Sequence, residues 1–419
     1  MKFSRTKLSG LVAGALLVVS GTAAASGFAL IEQSASGMGN AFAGGAASAE
    51  DASTVFFNPA GMANVKGRQL VVALHAIKPS AKFSNTASVA VGGEPLGGNG
   101  GDAGSMAYVP NFYYLMDVNP QMKFGLGINA PFGLKTEYEA GWAGRWQAMK
   151  SEVQTVNVNP SLSYQMNDMV ALGLGFSYQQ IDAELTNSQY LGPATEGKAK
   201  MSGNDHTWGY NFGVLFQVSP DSRVGLAYRS SIDYKLSGDL LVTTPTGAVV
   251  TNPTVNAEIK VPDSLSLSGF KAIDSKWDVM GDITWTGWSK FKELRVVSSV
   301  SGATLMLVNE NWKDTYRFSV GANHHYNEQW TARVGLAFDQ GPVDDKYRTA
   351  RIPDNDRTWL SVGGQYKPSK ESAVDLGYSH LFVKDSSIAD MQAAANKGDL
   401  VGNYKNSVDI LSVQYTHSF

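Results

Sequence analysis

Six tight turns, separated by longer polar stretches, constrain this chain more than any motif it carries. The turns are Val118-Asn119-Pro120, Met166-Asn167-Asp168, Ser219-Pro220-Asp221, Ile273-Asp274-Ser275, Asn327-Glu328-Gln329 and Pro368-Ser369-Lys370. Polar or Gly-rich stretches lie at 79–104, 131–151, 186–206, 237–254, 299–312, 341–356 and 385–405. Between the two kinds of connection, apolar and polar residues alternate over about ten or more positions, the period of a two-faced strand. Six short turns and seven long loops make thirteen connections, hence fourteen strands. A propeller or sandwich has no reason to keep short and long connections strictly alternating. An outer-membrane barrel does: its periplasmic turns are tight, its extracellular loops long and its strand number even. The pattern predicts an all-β fold, a fourteen-stranded antiparallel transmembrane β-barrel.

The strands themselves have two faces. Near the C-terminus, Leu411, Val413, Tyr415, His417 and Phe419 share one face, and Ser412, Gln414, Thr416 and Ser418 the other. Trp330, Val334, Leu336 and Phe338 alternate with Thr331, Arg333 and Asp339 in the same way. So do Tyr316, Phe318 and Val320 with Thr315, Arg317 and Ser319. Aromatic residues at strand ends suit the membrane interface. A Lys or Arg on the lipid face at mid-depth costs roughly 2–4 kcal/mol, so Arg317 and Arg333 are expected to face the lumen. Asp278, Asp282 and Asp375 follow the same alternation. Such charges serve as structural ion pairs that satisfy one another, or as a site for a substrate carboxylate.

The N-terminus reads as an export signal. Lys2, Arg5 and Lys7 precede the apolar run Leu11 to Val19, and Ala23-Ala24-Ala25 offers a small-residue cleavage site. The expected division is a signal peptide at 1–25, an N-terminal plug at 26–65 and the barrel at 66–419. Removing the three basic residues of the signal leaves 31 Lys and Arg, from a total of 34, against 37 Asp and Glu. No basic surplus argues for nucleic acid. No apolar run after residue 25 reaches the ~18 residues of a membrane helix. The chain has no cysteine, so an exported protein of this size must draw stability from something other than disulfides. Barrel closure supplies it.

The stretch Gly27 to Gly61 differs from everything that follows. It has no Lys or Arg and is dense in Gly, Ala and Ser. Small residues let backbones approach closely, so it suits filling inside a larger shell. It ends in Phe56-Phe57-Asn58-Pro59-Ala60, where Pro59 fixes φ and biases Asn58 away from helix. The order GFAL, SGMG, AFAGGAA, EDAS and NPA resembles the N-terminal hatch of the FadL-type (OmpP1/FadL/toluene) outer-membrane transporter family. That resemblance implies uptake of long-chain fatty acids or, in some branches, aromatic hydrocarbons. It also implies that Asn58, Pro59 and Ala60 anchor a movable hatch.

The third strand is broken. Residues 122–130 alternate cleanly and then meet Pro131-Phe132-Gly133, where Pro removes a ladder donor and Gly lets the backbone bend. In the resembling family the third strand carries an inward kink that opens the wall sideways, so Pro131, Phe132 and Gly133 are the lateral-gap candidates. The likeness continues in Trp312 to Arg317, Trp330 to Gly335 and Ile352 to Arg357. One departure stands out. The family's fatty-acid transporter has lumenal Arg and Lys near the bound carboxylate, and the stretches aligned there, Gln179 to Glu184 and Leu307 to Trp312, contain neither. Arg317 and Arg333 become the head-group candidates in their place, since the forked Arg donor array suits a carboxylate.

Enzymatic signals are weak: there is no phosphate loop, HExxH or nucleophile elbow. His324 and His325 point to opposite faces of one strand, poor geometry for a metal. The expected protein is therefore not an enzyme and needs no cofactor or metal. It is a monomer in the bacterial outer membrane, placed there by the insertion machinery among lipids and lipopolysaccharide. Its expected role is passive import of hydrophobic small molecules, most of all long-chain fatty acids. The implied route begins in a groove formed by the loops at 186–206 and 237–254, reaches a pocket above the hatch and leaves sideways at the third strand. A monoaromatic-hydrocarbon importer, a general porin and a barrel enzyme are the rivals.

Overall fold

A computed structural model describes residues 26–419. The signal peptide expected at 1–25 lies outside the described residues. Fourteen antiparallel wall strands follow one another around a closed barrel. The first six are β1 (Gln69–Asn85), β2 (Ala107–Asn119), β3 (Met122–Asn129, resumed at Gly133–Glu137), β4 (Lys150–Asn167), β5 (Val170–Tyr190) and β6 (Glu196–Ser219). Three interrupted strands come next: β7 (Ser222–Arg229 and Ile232–Thr243), β8 (Thr254–Val261 and Ser264–Ala272) and β9 (Trp277–Thr286 and Glu293–Ser298). The last five are β10 (Thr304–Asn309 and Thr315–His325), β11 (Trp330–Asp339), β12 (Arg357–Tyr366), β13 (Ser372–Val383 and Ser386–Met391) and β14 (Asp399–Ser418). β14 pairs with β1 from Gln69↔Ser418 to Asn85↔Gly402, which closes the wall and removes both edges.

Burial follows the alternation in the sequence. Phe318, Val320, Leu336, Phe338, Leu411 and Val413 are exposed on the outer face. Asp278, Asp282, Arg317, Arg333 and Asp375 are all buried inside. His324 packs at a tilt against Trp277 while its neighbour His325 bonds inward to Asp278, so the two histidines do take opposite faces.

Residues 26–65 fill the lumen, and the wall is shaped to receive them. Inward-facing glycines mark where the segment passes. A Cβ at Gly377 would strike Met38, at Gly335 the Asn40–Ala41 backbone, at Gly225 Ala46, and at Gly213 Asn58. At Gly173 it would strike Pro59 and Ala60, and at Gly125 Met62 and Val55. Glycine inside a strand ordinarily weakens it; here Gly173, Gly225 and Gly335 admit a second backbone, and Gly125, Gly213 and Gly377 admit side chains of the segment.

The long connections are shorter than the sequence suggested. Within 186–206 only 191–195 leaves the ladder, and 237–254 stays in strand through Thr243. Likewise 299–312 holds strand Thr304–Asn309, and 385–405 holds Ser386–Met391 and the start of β14. The physical reason is that antiparallel pairing satisfies the backbone whatever the side chains are. Polar residues that leave the membrane mark the end of the apolar belt and not the end of the strand.

Breaks in β3 (130–132), β7 (230–231), β8 (262–263) and β9 (287–292) lie ten or so residues from the tight turn that each strand adjoins. They lie at one level on the part of the wall between β3 and β9.

Candidate functional site

The N-terminal segment is seated by hydrogen bonds at Asn58 and by an ion pair at Glu50. Asn58 Oδ1 accepts from Ala60 N at 3.0 Å, which caps the 3₁₀ helix Pro59–Asn64. Its Nδ2 donates to Ala46 O at 2.7 Å and to Val214 O of β6 at 3.1 Å. The Asn-Pro-Ala motif thus ties two parts of the segment to each other and to the wall. On the opposite wall, Arg333 Nη1 donates to Glu50 Oε2 at 2.7 Å, and Nη2 lies 3.0 Å from Asp375 Oδ1. Burial opposes the Glu50 charge, but the guanidinium outweighs it and holds the carboxyl down at about 2.

A cavity of about 160 Å³ lies above this segment. Leu30, Phe42, Phe56, Phe57, Phe132 and Trp288 give it apolar walls. Arg229, Asp282, Arg317 and Asp339 supply its polar side. Arg317 Nη2 donates to Ala41 O at 2.7 Å, and its guanidinium sits 5.1 Å from the Trp359 ring. Its Nε and Nη1 are buried without a hydrogen-bond partner. The nearby Asp282 carboxylate is occupied by the hydroxyls of Ser266, Ser268 and Thr284.

A second, more apolar cavity of about 80 Å³ lies further toward the long connections. Phe28, Leu134, Val153, Leu236, Ile259 and Phe291 line it, with Arg351 and Glu310 as its charged groups. Arg351 is held by neutral partners: Ser151 Oγ at 2.9 Å, Gln147 O at 2.8 Å and Lys150 O at 3.2 Å. Burial lowers its pKa to about 10, with Glu310 pulling the other way. Glu310 accepts from Trp312 Nε1 at 2.9 Å, and burial raises its pKa to about 7. Phe28 separates the two cavities. Its ring packs 4.8 Å from Trp288 and 6.0 Å from Phe132, both of which line the larger one.

The broken third strand forms the side of this arrangement. β2 pairs with β3 only as far as Phe112↔Ile128, while residues 107–111 of β2 pair with β1 alone. The N-terminal segment takes up the freed groups: Leu30 N donates to Pro131 O and Gly133 N to Phe28 O, both at 2.8 Å. On the β4 side, Thr155 Oγ1 replaces the ladder, accepting from Phe132 N at 3.0 Å and donating to Phe132 O at 2.7 Å. Pro131 and Phe132 also line the larger cavity.

The geometry sorts the residues singled out in the sequence. Pro131, Phe132 and Arg317 meet around one cavity, whereas Arg333 is engaged by Glu50 and Asp375 and does not line it. The hairpins expected to form a capture groove pair with each other, 198–204 with 237–243, and line the smaller cavity. Arg351 and Glu310 were missed. Arg351 stands immediately before the Ile352 to Arg357 segment, and its place in a long connection hid its burial.

The family model described as outer membrane protein transport protein (OMPP1/FadL/TodX) matches residues 16–419. The long-chain fatty acid transport protein of Escherichia coli K12 is 30% identical over 412 residues, covering 88% of this chain and 91% of that one. The crystal structure of a Pseudomonas aeruginosa FadL homologue superposes with a TM-score of 0.87 at 25% identity, covering 94% of this chain and 99% of that one. The Ralstonia pickettii toluene transporter TbuX shares the fold with a TM-score of 0.68 at 19% identity, covering 92% and 98%.

Proposed function

Because this chain belongs to the outer membrane protein transport family of the OMPP1, FadL and TodX type, we propose that it imports hydrophobic small molecules, chiefly long-chain fatty acids. It resides in the outer membrane. Relatives named for fatty-acid and for toluene transport both resemble it, so the choice of substrate rests on the cavities. A hydrocarbon needs only apolar walls. A fatty acid needs in addition a cation at one end of an apolar space.

The observation that carries the reading is Arg317. It lines an apolar cavity with two buried donor nitrogens unpartnered, and a buried donor left unmade costs about 1–3 kcal/mol. A carboxylate supplies the missing acceptors. The proposed route runs from the smaller cavity, past Phe28, into the larger one, and out at Pro131-Phe132-Gly133. Release into the membrane keeps an insoluble chain out of water. In this account residues 26–65 are the hatch, Asn58-Pro59-Ala60 its anchor and Arg333 its clasp. A lumen so filled speaks against an open porin, and transport in place of catalysis explains the apolar walls.

The test is Arg317→Met, with oleate and toluene binding measured on the purified barrel. Oleate affinity should fall while toluene binding is unchanged. Equal loss for both ligands, accompanied by a lower melting temperature, would assign Arg317 to holding the hatch and not to the head group.

A further inference from the structure

We infer that the wall has a second side port, between β6 and β7, through which a hydrophobic ligand in the larger cavity exchanges with the membrane. The inference deepens the transport reading above and rests on it. Its starting point is the ladder. β6 pairs with β7 from Asn211 to Ser219 and again from Lys198 to Asn204. Among the described residues, 205–210 have no ladder partner in β7, although they stay fully paired with β5 on their other edge.

The two ends of this slot are pinned and its middle is not. Ser230 N donates to Tyr210 O, and Tyr210 N donates to Ser230 Oγ, both at 2.9 Å. At the other end Lys235 N donates to Asp205 Oδ2 at 2.6 Å. Unpaired backbone facing lipid costs several kcal/mol per group, and a barrel tolerates it only where the chain lines a cavity. A cavity is what lies behind: Asn211 and Arg229, the last ladder pair before the slot, both line the larger one.

Tyr228 connects inside to outside. It follows Val224 and Leu226 on the outward phase of β7, yet it borders the same cavity. Its ring lies 6.1 Å from Tyr210, and Trp208 beside them is 68% exposed, packed 4.8 Å from Tyr178. Aromatic rings of this kind sit at the membrane–water boundary, which sets the depth of the slot. Inside, Ile232 closes it. A Cβ at Gly209 would stand 2.9 Å from Ile232 Cδ1 and 3.0 Å from Ser230 Oγ, so the isoleucine rests on a glycine, at the edge of the apolar cluster it shares with Phe28, Phe132 and Trp288. Ile232 shuts the port at the level of the third-strand gap, about a quarter of the way round the wall from it.

The absence of native cysteines allows a direct test. Gly209→Cys with Ser230→Cys staples the slot when oxidised and frees it when reduced. The pair is placed in a Gly133→Trp background, where the third-strand gap is filled, and oleate uptake is measured. Residual uptake should persist in Gly133→Trp, vanish on oxidation of the staple and return on reduction. A Gly133→Trp chain with no residual uptake, or residual uptake indifferent to oxidation, overturns the port while leaving transport intact. If the unaltered chain takes up no oleate, the transport reading fails and the port with it. Photolabelling of the unaltered chain with a diazirine-bearing fatty acid gives an independent reading. Labels on Tyr210 and Tyr228 support the port; labels confined to Pro131–Gly133 overturn it.

Discussion

Arg333 of the barrel wall and Glu50 of the N-terminal segment form an ion pair across the lumen, Nη1 to Oε2 at 2.7 Å. Asp375 shares the guanidinium from the other side, with its side chain fully enclosed. Breaking such a buried arrangement by removing one partner typically costs about 3–5 kcal/mol, because the remaining charge is stranded. Arg333→Met should therefore lower thermal stability and increase ion conductance in planar bilayers as the hatch loosens. Oleate affinity should stay near that of the unaltered chain. A large loss of affinity without added conductance would make Arg333 a ligand contact.

Phe28 makes a different prediction, because it stands between the two cavities without touching the clasp. Phe28→Ala removes the partition and leaves a cavity in its place, at a cost of about 3–5 kcal/mol for a buried Phe. A crystal structure or xenon binding should show one continuous space. Ligand dissociation should be faster, since the gate between the chambers is gone. Two separate cavities in the variant would show that the wall residues, and not Phe28, divide them.

Glu310 gives the account a pH dependence. Its folded pKa of about 7 lies above the ordinary 4.5, with burial as the main cause. The protonated form is therefore favoured in the folded state. The penalty is absent below 4.5, grows as pH rises and is complete above about 7. Glu310→Gln should stabilise the protein at pH 8 and make no difference at pH 4. The charge also matters for binding. As pH falls from 8 to 6, Glu310 loses its charge and Arg351 keeps its own with one fewer carboxylate beside it, Asp390 being the other. Oleate affinity should rise over that interval in the unaltered chain and stay flat in Glu310→Gln. Toluene binding should show no such dependence.

The barrel was legible because its signals are periodic. A lipid face and a lumen face impose a two-residue repeat, and the cost of exposing Arg317 or Arg333 to lipid fixes which face is which. A segment suited to filling a larger shell was legible for a similar reason, as a run of small residues without Lys or Arg has few other uses; its action as a hatch anchored at Asn58-Pro59-Ala60 is a proposal. Arg351 was not legible, because nothing in its neighbours shows that a long connection folds back over the lumen to bury it. The glycines at 173, 213 and 335 were visible only as weak points in strands. Their meaning depends on a partner segment over a hundred residues away. Loop lengths were overestimated at 186–206 because polar composition marks the membrane boundary and pairing continues past it.

The central claim is that ligand leaves the larger cavity sideways at the third strand. Gly133 is the point where β3 resumes, and its N–H bonds to the Phe28 carbonyl. The decisive measurement replaces Gly133 by Trp and follows oleate uptake by cells and oleate binding by the purified barrel separately. Lateral release predicts that uptake falls severalfold while affinity is kept. Unchanged uptake, with the tryptophan confirmed in the wall, would mean that the third-strand gap is not the ligand's exit.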